Sequence, residues 1–161
     1  MNSIDRAIYY LNIKPRTRQQ VIDYLEKKEF PSEEIEETIK ELEEYHYIDD
    51  LNYCKMYFEL GFEKHKGIGR IKRELAGKGV SKEVIEEAFN ELEYVPDQFE
   101  MALEAGRSIL SDAGIYDDDF AVEEMGYQEK QKLKAKIARR LATKGFATEI
   151  IYDVIRELVD R

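Results

Sequence analysis

The chain has 161 residues, 43% hydrophobic and 37% charged, with nine glycines and three prolines, so it can bury a real core and leans towards helix. A formal net charge of −10 argues against a simple nucleic-acid binder, because neutralising phosphates takes a cationic surface. One cysteine, Cys54, excludes an intramolecular disulfide framework; with no signal-peptide core after Met1 and no membrane-length apolar run, a cytoplasmic protein without membrane contact is expected.

In chain order, Ile4, Ala7, Ile8 and Leu11 fall at i, i+3, i+4, i+7 and predict a first helix over about 3–13. Lys14 and Pro15 end it, since the residue before proline is pushed out of the helical region. A second helix over about 17–28 buries Val21 and Leu25, and a third over about 32–45 opens with acids where the helix dipole favours them. Tyr47-Ile48-Asp49-Asp50 then links to the next unit, with Asp49 or Asp50 placed to cap a helix over about 51–62. Gly67 and Gly69 precede a basic helix over 66–78 carrying Ile71 and Leu75. Gly79 sits where a left-handed cap is wanted, and an acidic helix with Ile85, Phe89 and Leu92 follows.

This frame recurs. Fifty residues earlier it reads Val21, Leu25, Lys28, Ile35, Ile39, Leu42, and sixty-six residues later Ile137, Leu141, Lys144, Ile151, Ile155, Leu158. The expected fold is therefore all-α, an elongated array of three tandem three-helix, helix-turn-helix-like repeats over 1–49, 50–96 and 97–161. Gly145 repeats the cap of Gly79, whereas the first copy has Glu29, so that turn is expected to close differently or to accept strain. The third copy carries extra residues over about 111–126, among them Asp112, Asp117, Asp118, Asp119, Glu123 and Glu124. Clustered carboxylates suit hard cations, but the spacing matches no EF-hand loop, so a solvated connector is expected and no metal.

Charge is segregated within each unit. On a wheel of about 100° per residue, Lys66, Arg70 and Arg73 form a stripe opposite Ile68, Ile71 and Leu75. Lys132, Lys136 and Arg139 repeat it opposite Leu133, Ile137 and Leu141. The first copy has Arg16, Gln20 and Asp23 there. Two copies thus offer a basic track to a polyanion or an acidic protein surface. The third helices present Glu36, Glu37, Glu41, Glu86, Glu87 and Glu91, the wrong sign for a recognition helix in a DNA groove, which weakens a helix-turn-helix DNA-binding regulator as the second reading. His46, His65 and Cys54 show no ligand spacing, and no nucleophile arrangement or phosphate loop occurs, so neither cofactor nor catalysis is expected. Tyr9, Tyr24 and Tyr57 are expected half-buried between helices.

The segments Tyr47-Ile48-Asp49-Asp50, Lys66-Gly67-Ile68-Gly69-Arg70-Ile71-Lys72-Arg73-Glu74-Leu75 and Lys78-Gly79-Val80 resemble the motifs of the RecX family, bacterial regulators of the RecA recombinase. Lys144-Gly145-Phe146 and Pro15-Arg16-Thr17-Arg18 fit the same family. The resemblance implies a monomeric, non-enzymatic protein that lies in the groove of a RecA filament on DNA, weakly touches its single strand, and reduces recombinase and ATPase activity. It would thereby regulate DNA repair, recombination and the SOS response. Lys66, Arg70, Arg73, Lys132, Lys136 and Arg139 are the expected filament-binding residues.

Overall fold

The computed structural model describes residues 1–115 and 121–160, and among these it contains helices and no strand. The helices are α1 Ser3–Ile13, α2 Arg18–Lys27, α3 Ser32–Glu44, α4 Asp50–Glu63, α5 Ile68–Gly77, α6 Lys82–Asn90, α7 Gln98–Asp112, α8 Ala121–Glu124, α9 Tyr127–Thr143 and α10 Thr148–Leu158. No helix among the described residues is long and apolar enough to cross a membrane. The chain forms two compact units. The first is Met1–Glu59 with Lys72–Glu93, and the second is Leu60–Ile71 with Tyr94–Arg161.

In the first unit, α1, α2 and α3 pack around Ala7, Val21, Leu25, Ile35, Ile39, Leu42 and Ile48. Each of the first two helices starts where its sequence can satisfy the free amides of a first turn. Asn2 accepts from the Asp5 amide at 2.9 Å, and Thr17 forms a reciprocal capping box with Gln20. A buried 2.7 Å hydrogen bond between the Ser3 and Thr38 hydroxyls ties α1 to α3. Neither hydroxyl breaks the apolar stripe of its helix visibly enough to be found from sequence. The same unit buries Cys54, Phe58, Leu75, Ile85 and Ala88, with Phe58 and Phe89 tilted at 5.5 Å.

The second unit has its own core on α7, α9 and α10, including Leu103, Ile109, Ile137, Leu141, Val154 and Leu158. Gly106 lets α7 approach α10 closely, since a Cβ there would lie 2.7 Å from the Leu158 side chain. Helix α9 is 17 residues long, where α2 and α5 have 10 each. Val122 of the four-residue α8 is buried. Asp117, Asp118 and Asp119 lie outside the described residues, and among the described ones no group of three potential metal ligands occurs.

The three turns that follow α2, α5 and α9 close in the same way. Phe30, Val80 and Phe146 donate back to the carbonyls of Leu25, Leu75 and Leu141 at 3.1–3.2 Å, and Glu29, Gly79 and Gly145 donate to Glu26, Ala76 and Ala142 at 2.9–3.0 Å. This is the Schellman pattern, which needs a left-handed residue at its centre. Gly79 and Gly145 take φ of 88° and 96°. Glu29 takes φ of 65°, so the first turn does not close differently; it accepts the strained conformation that a Cβ makes unfavourable.

Candidate interaction surface

The motif residues divide sharply between internal joints and surface. Tyr47 is 51% exposed, whereas Ile48 belongs to the first core. Asp49 caps α4 by accepting from the Asn52 amide at 3.1 Å. Asp50 has a different partner, because its carboxylate accepts from the Arg18 amide at 2.8 Å, at the start of α2. Burial pushes the Asp50 carboxyl above its ordinary range, and the Arg18 amide pulls it back.

Lys78 and Gly79 form the first joint. The Lys78 carbonyl accepts a 2.8 Å hydrogen bond from the Thr17 hydroxyl, and a Cβ on Gly79 would overlap the side chain of Gln19. The turn after α5 is thus seated on the first turn of α2. The second joint repeats this arrangement with backbone alone. Gly67 donates to the Lys144 carbonyl at 2.7 Å and Gly69 donates to the Gly145 carbonyl at 3.0 Å. A Cβ on Gly67 would meet Gly145 backbone at 2.7 Å, and one on Gly145 would overlap Arg70 backbone. Gly67 therefore does more than loosen the start of a helix; it opens the space in which the α9 turn sits, while Gly69 donates its amide to that turn.

The basic residues are placed as follows. Helix α5 starts at Ile68, so Lys66 lies outside it; the Lys66 amide instead closes the turn after α4 by donating to Gly61 at 3.0 Å. Ile68, expected among the buried residues, is half-buried, and its amide is capped by the Gln98 side chain at 3.0 Å. Arg70 is half-buried beside Gly145, and Arg73 is exposed one turn further along. Lys66 and Arg70 belong to the second unit and Arg73 to the first. On α9, Lys132 and Arg139 are exposed and Lys136 half-buried, above the buried Leu133, Ile137 and Leu141. Neighbouring Lys134 pairs with Asp160 at 2.7 Å, but Lys132, Lys136 and Arg139 have no carboxylate partner among the described residues. The α9 triplet is accordingly the clearest uncompensated cationic face, with the larger share of its charge open to a partner.

Other features are structural. His46 and His65 hold left-handed turns with φ of 61°. Tyr24 and Tyr57 are half-buried as expected, while Tyr9 is 56% exposed because it faces away from the α1 stripe. Burial pushes the Cys54 thiol up to about 12, so it is protonated at neutral pH and no nucleophile. A cleft of about 330 Å³ in the second unit is lined by His65, Met101, Glu104, Ser108, Arg140 and Lys144 among others, and no hydrogen bond joins the Ser108 hydroxyl to His65 among the described residues.

Comparison with known proteins gives this geometry a context. The family model described as RecX, first three-helix domain, matches residues 4–42, and that of the RecX second three-helix domain matches residues 49–88. The chain belongs to the RecX family. Regulatory protein RecX of Bacillus pumilus is 30% identical over 156 residues, covering 96% of this chain and 54% of that protein. Its counterpart from Clostridium botulinum is 28% identical, covering 97% and 68%. The chain therefore spans about half the length of the Bacillus relative. The crystal structure of RecX from Lactobacillus salivarius superposes with a TM-score of 0.77 at 26% identity, over 97% of this chain and 94% of that one. Both RecX domain matches fall on helices that the structure forms, and the second ends at Ala88, inside α6.

Proposed function

We propose that this RecX-family chain binds the RecA filament assembled on DNA and lowers its recombinase and ATPase activity, with α7, α9 and α10 acting as a third tandem repeat over 97–161 after repeats at 1–49 and 50–96. The observation that carries the reading is the cationic triplet Lys132, Lys136 and Arg139, left without carboxylate partners among the described residues on a chain of net charge −10. Residues Lys66, Arg70 and Arg73 supply the matching charges of the second repeat. A protein that is acidic overall but carries isolated basic faces is suited to an acidic protein surface more than to bare duplex. The exposed Glu36, Glu37, Glu41, Glu87 and Glu91 of α3 and α6 likewise argue against a helix entering a DNA groove.

The test is the ATP hydrolysis rate of RecA on single-stranded DNA, with this protein added before or after filament assembly. Suppression well below one molecule per RecA subunit would place action at filament ends, and suppression near saturation would place it along the groove. No effect in either order, together with no binding to filaments, would overturn the reading.

A further inference from the structure

Arg16 stands between α1 and α2, directly before the Thr17 cap. Its guanidinium carbon lies 4.1 Å from the centroid of the Tyr10 ring. Tyr10 in turn stacks on Tyr24 with centroids 4.0 Å apart and planes 2° from parallel, and the Lys28 ammonium lies 5.6 Å from the Tyr24 ring. Groups in contact need about 3.5 Å between them, so Arg16 and Tyr24 cannot share one face of Tyr10, and the ring lies between them. The guanidinium is thereby held against the face of Tyr10 opposite Tyr24.

What sets this group apart is a buried donor left unpaired beside an aromatic ring. The Nε of Arg16 is buried and has no hydrogen-bond partner, and Arg16 makes no ion pair among the described residues. Carboxylates are not scarce, for the first unit holds twenty acidic residues against twelve lysines and arginines. Three of its other bases do pair, Arg18 with Glu43 at 3.2 Å, Lys55 with Glu91 at 3.4 Å and Lys72 with Glu86 at 2.9 Å, while others, such as Arg6 and Arg73, also lack an ion pair among the described residues. The Nε is covered by the chain itself, so a partner would be met by the two terminal Nη groups, which offer an end-on fork.

Repeat register adds a second observation. Arg16 occupies in the first copy the position of Lys66 and Lys132 in the next two. The other two members are point charges, whereas this one is a planar fork that matches an oxyanion with two parallel hydrogen bonds.

We infer that Arg16, held over the Tyr10 ring, is a preset binding residue that forks onto a carboxylate of the protein partner. The inference rests on the filament reading above. A carboxylate fits better than a phosphate because the surrounding unit is strongly acidic and repels a polyphosphate backbone at long range, while a single carboxylate is recognised only at contact.

The test titrates the unsubstituted chain, Arg16→Gln, Arg16→Lys and Tyr10→Leu against RecA filaments on single-stranded DNA and against free single-stranded DNA, at several salt concentrations. Arg16→Gln is expected to lose about tenfold or more in filament affinity, as for a charged hydrogen-bonded pair. Arg16→Lys should lose most of the same factor, and Tyr10→Leu part of it. Affinity for free DNA and the salt slope of filament binding should stay unchanged. Filament binding by Arg16→Gln equal to that of the unsubstituted chain would overturn the inference. So would a parallel fall in free-DNA affinity with a salt slope reduced by about one, which marks a phosphate ligand. If Arg16→Gln melts early, Arg16→Lys decides, and full affinity in that variant removes the fork. Failure of the unsubstituted chain to bind filaments would remove the underlying reading as well, a result the variants alone cannot produce.

Discussion

The hydroxyl of Thr17 donates a 2.8 Å hydrogen bond to the backbone carbonyl of Lys78, 61 residues along the chain. Thr17 is fully buried, and the same oxygen accepts from the Gln20 amide at 3.2 Å. One side chain thus starts α2 and receives the turn after α5. Thr17→Val keeps the shape and loses both bonds. It is expected to cost about 2 to 3 kcal/mol, combining a lost cap with a carbonyl left without its donor. Thr17→Ser should retain most of that stability. Urea unfolding of the two variants measures the difference.

Gly145 and Glu29 hold the same turn position under opposite demands. Gly145→Ala forces a Cβ into the left-handed region and onto Arg70, and is expected to destabilise by at least about 2 kcal/mol. Glu29→Gly relieves the strain of an exposed residue at φ of 65° and should be neutral or slightly stabilising, within about 1 kcal/mol. Thermal melts of both, read by helical circular dichroism, test the contrast.

The α9 face separates binding from folding. Reversing Lys132, Lys136 and Arg139 to Glu is expected to weaken filament binding strongly while unfolding midpoints move little, since surface substitutions usually stay within about 0.5 kcal/mol each. This triplet is a cleaner probe than Arg70 with Arg73, because Arg70 abuts Gly145 in a joint. Leu75→Ala serves as the structural control. It should cost about 2 to 5 kcal/mol through a cavity in the first unit.

Cys54 makes stability fall at alkaline pH. Its folded thiol is pushed up to about 12 from an ordinary 9.0, so the folded chain holds this proton more tightly than the unfolded one. The contribution is complete below pH 9 and is lost progressively as pH rises towards 12. Cys54→Ala should flatten this limb of the stability–pH profile. At neutral pH, thiol reagents should label Cys54 only at the rate at which the first unit opens.

Much of this was legible in the sequence because it is local. Hydrophobic spacing located α1 to its ends and α2 and α3 to within a residue or so, and lysine–glycine turns marked the left-handed caps. What stayed hidden depends on partners distant in sequence. The glycines at 67, 79 and 145 read as flexible or left-handed residues, yet each also makes room for a neighbour more than fifty residues away. The Ser3–Thr38 bond and the Gln98 cap on Ile68 are equally invisible to periodicity. At the surface, a wheel drawn from Lys66 presumed a helix that begins only at Ile68, whereas on α9 the same wheel placed Lys132, Lys136 and Arg139 opposite the core correctly.

The two seams suggest how to count. Every left-handed turn of this series can be closed by glycine or, as Glu29 demonstrates, by a residue with a side chain. Only a turn pressed against another segment has to be bare. In the two lysine–glycine turns the glycine is therefore a tally mark for a docked surface, whereas Gly114, which closes α7 with open space around it, marks only a helix end. In longer members of the family, the number of lysine–glycine turns should report how many segments are stacked on one another, whatever the number of helices. A glutamate in that place should mark a turn left facing water.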